Sequence, residues 1–197
     1  MLFLTRPTDE VIRAIFAKQE GRQFSYEEVG ASKGRLPSGY KILHHRAMLG
    51  RGSSQFERAS EALSHWEMFN VPGISLCWPA TPIQVGNLVA ILIKHFGFWS
   101  LNFCRIAYVI DEENPVRRFG FAYGTLAEHA EKGEERFTVE WDPTTDEVSY
   151  DILSFSRSGN WKTTIAYPLA RWLQRHFVRN SLIAMVRAVK QVRIAGP

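Results

Sequence analysis

The sequence predicts an α+β protein: a curved antiparallel sheet packed on a long C-terminal helix, the helix-grip arrangement. Three observations carry this expectation. Alternating aromatic runs are grouped between residues 74 and 155, helical periodicity is confined to the flanks, and the pattern from about Thr163 to Val192 is helical throughout. An antiparallel sheet with one apolar face needs a cover, and a helix of that length, rising ~1.5 Å per residue, reaches across it. The space between such a sheet and its helix commonly holds an apolar cavity where small ligands sit.

A first helix is expected from Thr8 or Asp9, both capping types behind Pro7, with Val11, Ile12, Ile15 and Phe16 as its apolar stripe and Gly21 as its end. Phe24 to Val29 reads as a short extended piece and 31–39 as a loop. Tyr40 to Leu49 is strand-like with imperfect alternation. Gly50 to Ser54 forms a turn with a Ser cap. The helix after it is expected to carry Phe56, Ala59, Leu63, Trp66 and Phe69 on one face and to end at Asn70 and Pro72. Ile74–Trp78 and the continuous apolar run Leu88–Ile93 read as strands. In the next strands Trp99, Leu101 and Phe103, then Phe119, Phe121 and Tyr123, then Phe137, Val139 and Trp141 alternate with smaller or polar residues. Residues 142–146 form a hairpin connection to Val148, Tyr150 and Ile152. The last helix starts between Thr163 and Pro168, with a kink or phase shift expected at Asn180-Ser181.

With 197 residues, the chain fits a single domain, 1–197, with a sizeable core. Hydrophobic residues at 45% and charged residues at 22% are ordinary globular values, which argues against disorder. Cys77 and Cys104, without CxxC spacing, argue against a disulfide framework or a cysteine zinc site and fit a reducing, cytoplasmic location. The apolar N-terminal run is too short for a signal peptide, and no run reaches the ~20 uncharged residues of a bilayer span. The net charge of +4 conceals a division: residues 152–197 hold 8 Lys+Arg and no acid, leaving 16 Lys+Arg and 20 Asp+Glu, a net −4, before them.

The segment 122–141 is the most suggestive for chemistry. It brings Tyr123, Thr125, His129, Glu131, Glu134 and Glu135 around one strand–strand connection. A carboxylate beside an imidazole holds its tautomer and raises its basicity. His129 is thus a candidate base, Glu134 its orienter and Tyr123 a donor to a substrate oxygen. The alternative is a charged hairpin loop with a core-facing Tyr. His44-His45 cannot share a metal from a regular strand, because neighbours point to opposite faces, and no metal or other cofactor is expected. Gly50-Arg51-Gly52 lacks the full phosphate-binding pattern. There is no GxSxG and Cys77 lies in an apolar run, so a covalent nucleophile is disfavoured. Arg171, Arg175 and Arg179 share one face of the last helix beside Trp172, Leu173 and Phe177. That pattern suits either an anionic membrane surface or a plain amphipathic helix. A nucleic-acid partner is not expected, since no binding motif is present.

The stretches FSYEEVGASKGRLPSGY (24–40), LGRGSSQFERASEALSHWEMF (49–69) and FGFAYGTLAEHAEKGEERFTVEW (119–141), with SFSRSGNW (154–161), resemble the family called domain of unknown function nineteen-ninety over nearly the whole chain. The resemblance implies that Tyr123, Gly124, Thr125, His129, Gly133, Glu134 and Glu135 belong to its signature, YGTLxxHxExGEExF. It supplies no activity. The leading expectation is a binding module for a small apolar or amphipathic ligand, with Trp99, Phe119, Phe121, Phe137 and Trp141 lining the core and Tyr123, Thr125, His129 and Glu134 orienting the ligand's polar end. The rivals are a metal-free acid–base enzyme and an interaction protein using the basic helix.

Overall fold

The computed structural model describes residues 1–127, 129, 131–158 and 167–190, with the side chains of all of these but 167–172. An eight-stranded antiparallel sheet dominates. Its strands are β1 (Leu2–Phe3), β2 (Lys41–Arg51), β3 (Ile74–Leu76), β4 (Leu88–Lys94), β5 (Trp99–Glu112), β6 (Arg117–Thr125), β7 (Glu131–Asp142) and β8 (Glu147–Ser158). They lie in the order β2-β8-β7-β6-β5-β4-β3, with β1 pairing β5. The helices are α1 (Asp9–Ala17), α2 (Ser53–Ser64) and α3 (Tyr167–Lys190). The expected architecture, a curved antiparallel sheet with a long C-terminal helix across it, is what the chain forms.

The two faces of the sheet are covered differently. On the inner face, α2, α3 and a 3-10 turn (Glu67–Phe69) pack on Val89, Ile91, Ile106, Phe121, Tyr123, Phe137, Val139, Tyr150 and Ile152. On the outer face, Ile12, Ile15 and Phe16 of α1 pack on Leu88, Ala90, Leu92, Leu101 and Phe103. This explains why β4 is a continuous apolar run: its alternate residues serve two separate cores. Residues 24–40 cover the outer face over β6–β8.

Several local expectations are corrected. The helix through Phe69 stops at Ser64; Trp66 takes a left-handed backbone (φ 60) and the chain restarts as the 3-10 turn. The apolar spacing held because Trp66, Met68 and Phe69 are all buried. α1 ends at Ala17, short of Gly21, and Arg105 of β5 donates to the carbonyls of Gln19, Glu20 and Arg22 beyond it. The stretch read as a loop at 31–39 opens with a 3-10 turn (Ala31–Lys33). α3 runs unbroken through Asn180-Ser181. Ser181 is fully buried and bonds Tyr150 Oη at 3.1 Å, which is why a polar residue interrupts the apolar register. Of the expected helix, residues 163–166 and 191–192 lie outside the described residues, as does the part of SFSRSGNW beyond Ser158.

Candidate functional site

β6 and β7 pair antiparallel with Tyr123 opposite Glu135 and Gly124 opposite Glu134. Successive strand residues face opposite sides, so this register sends the two adjacent glutamates into different environments.

Glu134 faces outward and is 2% exposed. Its carboxylate accepts from Tyr26 Oη (2.8 Å), from the backbone N–H of Gly30 (2.7 Å) and of Ser32 (3.0 Å), and from Ser32 Oγ. Four donors satisfy it fully. Burial and then the Glu134 charge push the Tyr26 phenol far upward. Gly124 makes room for this contact, because a Cβ there would overlap Tyr26 Oη. Beside it, Arg136 donates to Ser32 O (2.8 Å) and Asp151 Oδ1 (2.9 Å), and His44 Nε2 lies 2.5 Å from Asp151 Oδ2. Thr125 Oγ1 joins Ser25 Oγ (2.7 Å) and both backbone groups of Gly133. These residues fasten 24–34 to the sheet, which gives much of the signature tract a structural explanation.

Glu135 faces inward, toward α3. Tyr123 Oη donates to its Oε2 at 2.7 Å. Its Oε1 is buried and has no hydrogen-bond partner among the described residues. Burial pushes the carboxyl up to about 7, with the Tyr123 hydrogen bond opposing and the Glu131 charge reinforcing the shift. The Tyr123 phenol is raised well above its ordinary value by burial and then by the Glu135 charge. Around the pair the wall is aromatic: Phe69 lies 6.3 Å from Tyr123, 6.0 Å from Phe137 and 5.2 Å from Phe177 of α3, ring centre to ring centre. Cys104 is a buried free thiol that burial and then Glu135 make harder to ionise. Farther along α3, Gln174 Nε2 reaches Ser154 Oγ at 3.5 Å.

The expected acid–base group is therefore not assembled. Tyr123 and Glu134 lie on opposite faces. His129 sits in the β6–β7 connection with Nδ1 turned back on Glu131, 3.1 Å from its N and 3.0 Å from its O. Burial holds its imidazole down at about 4, so it is neutral at ordinary pH. Glu134, its expected orienter, has four other partners. Trp99 is separated from Phe121 as well, since it packs with the outer cluster around α1 while Phe121 is fully buried on the inner face. The inner carboxyl is Glu135. Strand parity signalled that Glu134 and Glu135 must diverge, but which of them meets Tyr123 depends on a hairpin register that composition does not reveal.

Between the sheet and α3, Phe69, delivered by the 3-10 turn, packs against Tyr123 and Phe137 of the sheet and Phe177 of α3. Two hollows lined by described residues lie elsewhere: one of about 10 Å³ beside Met1, Gln19 and His129, and an open groove of about 380 Å³ beside Phe16, Glu20 and Arg105. Of the basic face, Arg175 and Arg179 are exposed, while the Arg171 side chain lies outside the described residues. No helix among the described residues is long and apolar enough to cross a membrane.

A family model described as "Domain of unknown function (DUF1990)" matches residues 25–184. A UPF0548 protein of Dictyostelium discoideum is 34% identical over 207 residues, covering 96% of this chain and 96% of that one. A UPF0548 protein of Deinococcus radiodurans is 35% identical over 199 residues, covering 95% of this chain and 98% of that one. Among solved structures, norcoclaurine synthase from Thalictrum flavum, in complex with dopamine and hydroxybenzaldehyde, is similar with a TM-score of 0.47 and 12% identity, over 77% of this chain and 87% of that one.

Proposed function

The chain belongs to the DUF1990 family, and from that premise we propose that it is a binding module whose inner sheet face takes up a small, largely apolar ligand with its polar end at Tyr123 and Glu135. The observation that carries this reading is the Glu135 carboxyl: one oxygen is bonded to Tyr123, and the other is buried without a partner among the described residues, in an aromatic setting. A buried carboxyl oxygen left unsatisfied costs ~1–3 kcal/mol, and a ligand hydroxyl or amine donating to it would recover that cost. Phe69 is the side chain such a ligand would displace or stack against, because it lies between Tyr123 and Phe177 of α3.

Native mass spectrometry of protein purified from cells is expected to show a retained small molecule. Retention should fall at least tenfold in Glu135→Leu, which removes the acceptor, while Glu113→Gln, at an exposed position, leaves it unchanged. Protein that arrives bare, and stays bare after incubation with a cell extract, counts decisively against the reading.

One observation favours a second reading. A carboxyl held at about 7 is partly ionised at neutral pH and suited to move a proton, so the Tyr123–Glu135 pair would serve an acid–base enzyme in place of His129 and Glu134. Incubation with a metabolite extract separates the two. Consumption of a compound that ceases in Glu135→Gln marks the enzyme; uptake without consumption marks the binding module.

A further inference from the structure

One end of the sheet carries a patch that neither core needs. In the β4–β5 hairpin the turn is Phe96-Gly97, closed by His95 N donating to Phe98 O at 2.8 Å, with Gly97 at φ +81. Such a turn requires the glycine, but no large apolar residue before it. Phe96 is nevertheless 89% exposed. The hairpin beneath it is firm: His95 stacks on Phe98 at 4.5 Å and its Nε2 bonds Ser100 Oγ at 2.7 Å. β1 lies along the start of β5, Leu2 opposite Ser100 and Phe3 opposite Trp99. Phe3 packs into the outer core, while Leu2 and Leu4 are 73% and 88% exposed. Three large apolar side chains thus project at the same end of the sheet.

The charged groups over the ring of Trp99 have one sign. Trp99 lies beneath two cations, Arg6 and Lys94, each 5.9 Å from its ring centre. No acid occurs between residues 68 and 110 or between residues 1 and 8; the nearest along the chain are Asp9 and Glu10 in the first turn of α1. Exposed Phe and Leu rimmed by Arg, Lys and a Trp is the composition that suits a headgroup–acyl boundary: apolar side chains enter it, Trp sits at its level and cations meet anionic headgroups.

We propose that this end of the sheet, formed by Leu2, Leu4 and Phe96 with Arg6, Lys94 and Trp99, docks on the surface of an anionic lipid bilayer. The surface is separate from the Arg175 and Arg179 face of α3 and is independent of whether the inner face binds a ligand.

Co-sedimentation tests it. Wild-type protein at low salt is expected to bind vesicles containing about one phosphatidylserine per three phosphatidylcholines and to bind pure phosphatidylcholine at least tenfold more weakly. Added salt should weaken the anionic binding. Leu4→Ser with Phe96→Ser is expected to lower it at least tenfold without moving the thermal midpoint, since both side chains are exposed. Arg175→Glu with Arg179→Glu should leave it within about twofold. The proposal is overturned if wild-type protein ignores both vesicles, if the α3 reversal abolishes binding while the tip variant retains it, or if the tip variant instead splits a dimer that wild-type protein forms without lipid.

Discussion

Glu134 and Glu135 are chemically identical neighbours with opposite fates. The outward carboxylate meets four donors, two of them backbone N–H groups of a segment more than a hundred residues earlier in the chain. The inward one meets a single phenol among the described residues. A fully satisfied buried carboxylate fixes structure, whereas an under-satisfied one is available for a ligand or a proton. The contrast therefore separates the scaffold half of the family signature from the half with chemistry left over. It also relocates the candidate site from the pair His129–Glu134 to the pair Tyr123–Glu135.

The largest test of that contrast is Glu134→Ala. It would strand the Tyr26 hydroxyl, the N–H groups of Gly30 and Ser32, and the Ser32 hydroxyl in a buried place. The expected loss is ~3–5 kcal/mol in urea unfolding, as for removing one member of a buried charged network. Segment 24–34 should also become more susceptible to proteolysis. A loss below ~1 kcal/mol would mean that the outer carboxylate is not the anchor and that the contrast between the faces is false.

A milder test leaves both carboxylates in place. Gly124→Ala puts a methyl group where Tyr26 now lies against the strand. Overpacking of this kind is expected to cost ~1–3 kcal/mol. In a chain already carrying Tyr26→Phe the same Gly124→Ala change should cost less, because the overlapping oxygen is gone. An equal cost in both backgrounds, read from thermal melts, would place the strain elsewhere.

The fold was legible because its signals are local. Phe119, Phe121 and Tyr123, and Phe137, Val139 and Trp141, alternate as half-buried strands must, and in the structure both sets face α2 and α3. The site was legible only in part, because its facts are long-range. Nothing near Glu134 announces Tyr26, 108 residues away. Trp99 obeys the same alternation as Phe121, yet the first part of β5 is covered on its outer side by α1, so an aromatic there is buried without facing the inner core. Phe69 continued the helical spacing of Phe56 and Leu63 even though the helix ends before it. Periodicity records which residues are buried and does not record that the backbone turns at Trp66.

The finest test uses protons. The Glu135 carboxyl is raised from 4.5 to about 7, so between these values the folded state binds more protons than the unfolded one, and this group's contribution to stability declines as pH rises from 4.5 through 7. His129 is lowered from 6.5 to about 4, so between these values the unfolded state binds more protons, and its contribution grows as pH rises from 4 to 6.5. In the wild-type chain the two slopes oppose each other across pH 4.5–6.5. Glu135→Gln removes only the first. Its stability relative to wild type is expected to improve by about 1 kcal/mol from pH 4.5 to pH 7, allowing for its partial exposure, and its own profile should climb toward pH 6.5 under the remaining influence of His129. Denaturant midpoints at several pH values check this. A difference between variant and wild type that stays flat across the interval would mean that Glu135 ionises as an ordinary carboxylate. The two glutamates would then differ in partners alone, and the inward one would hold no proton to offer at neutral pH.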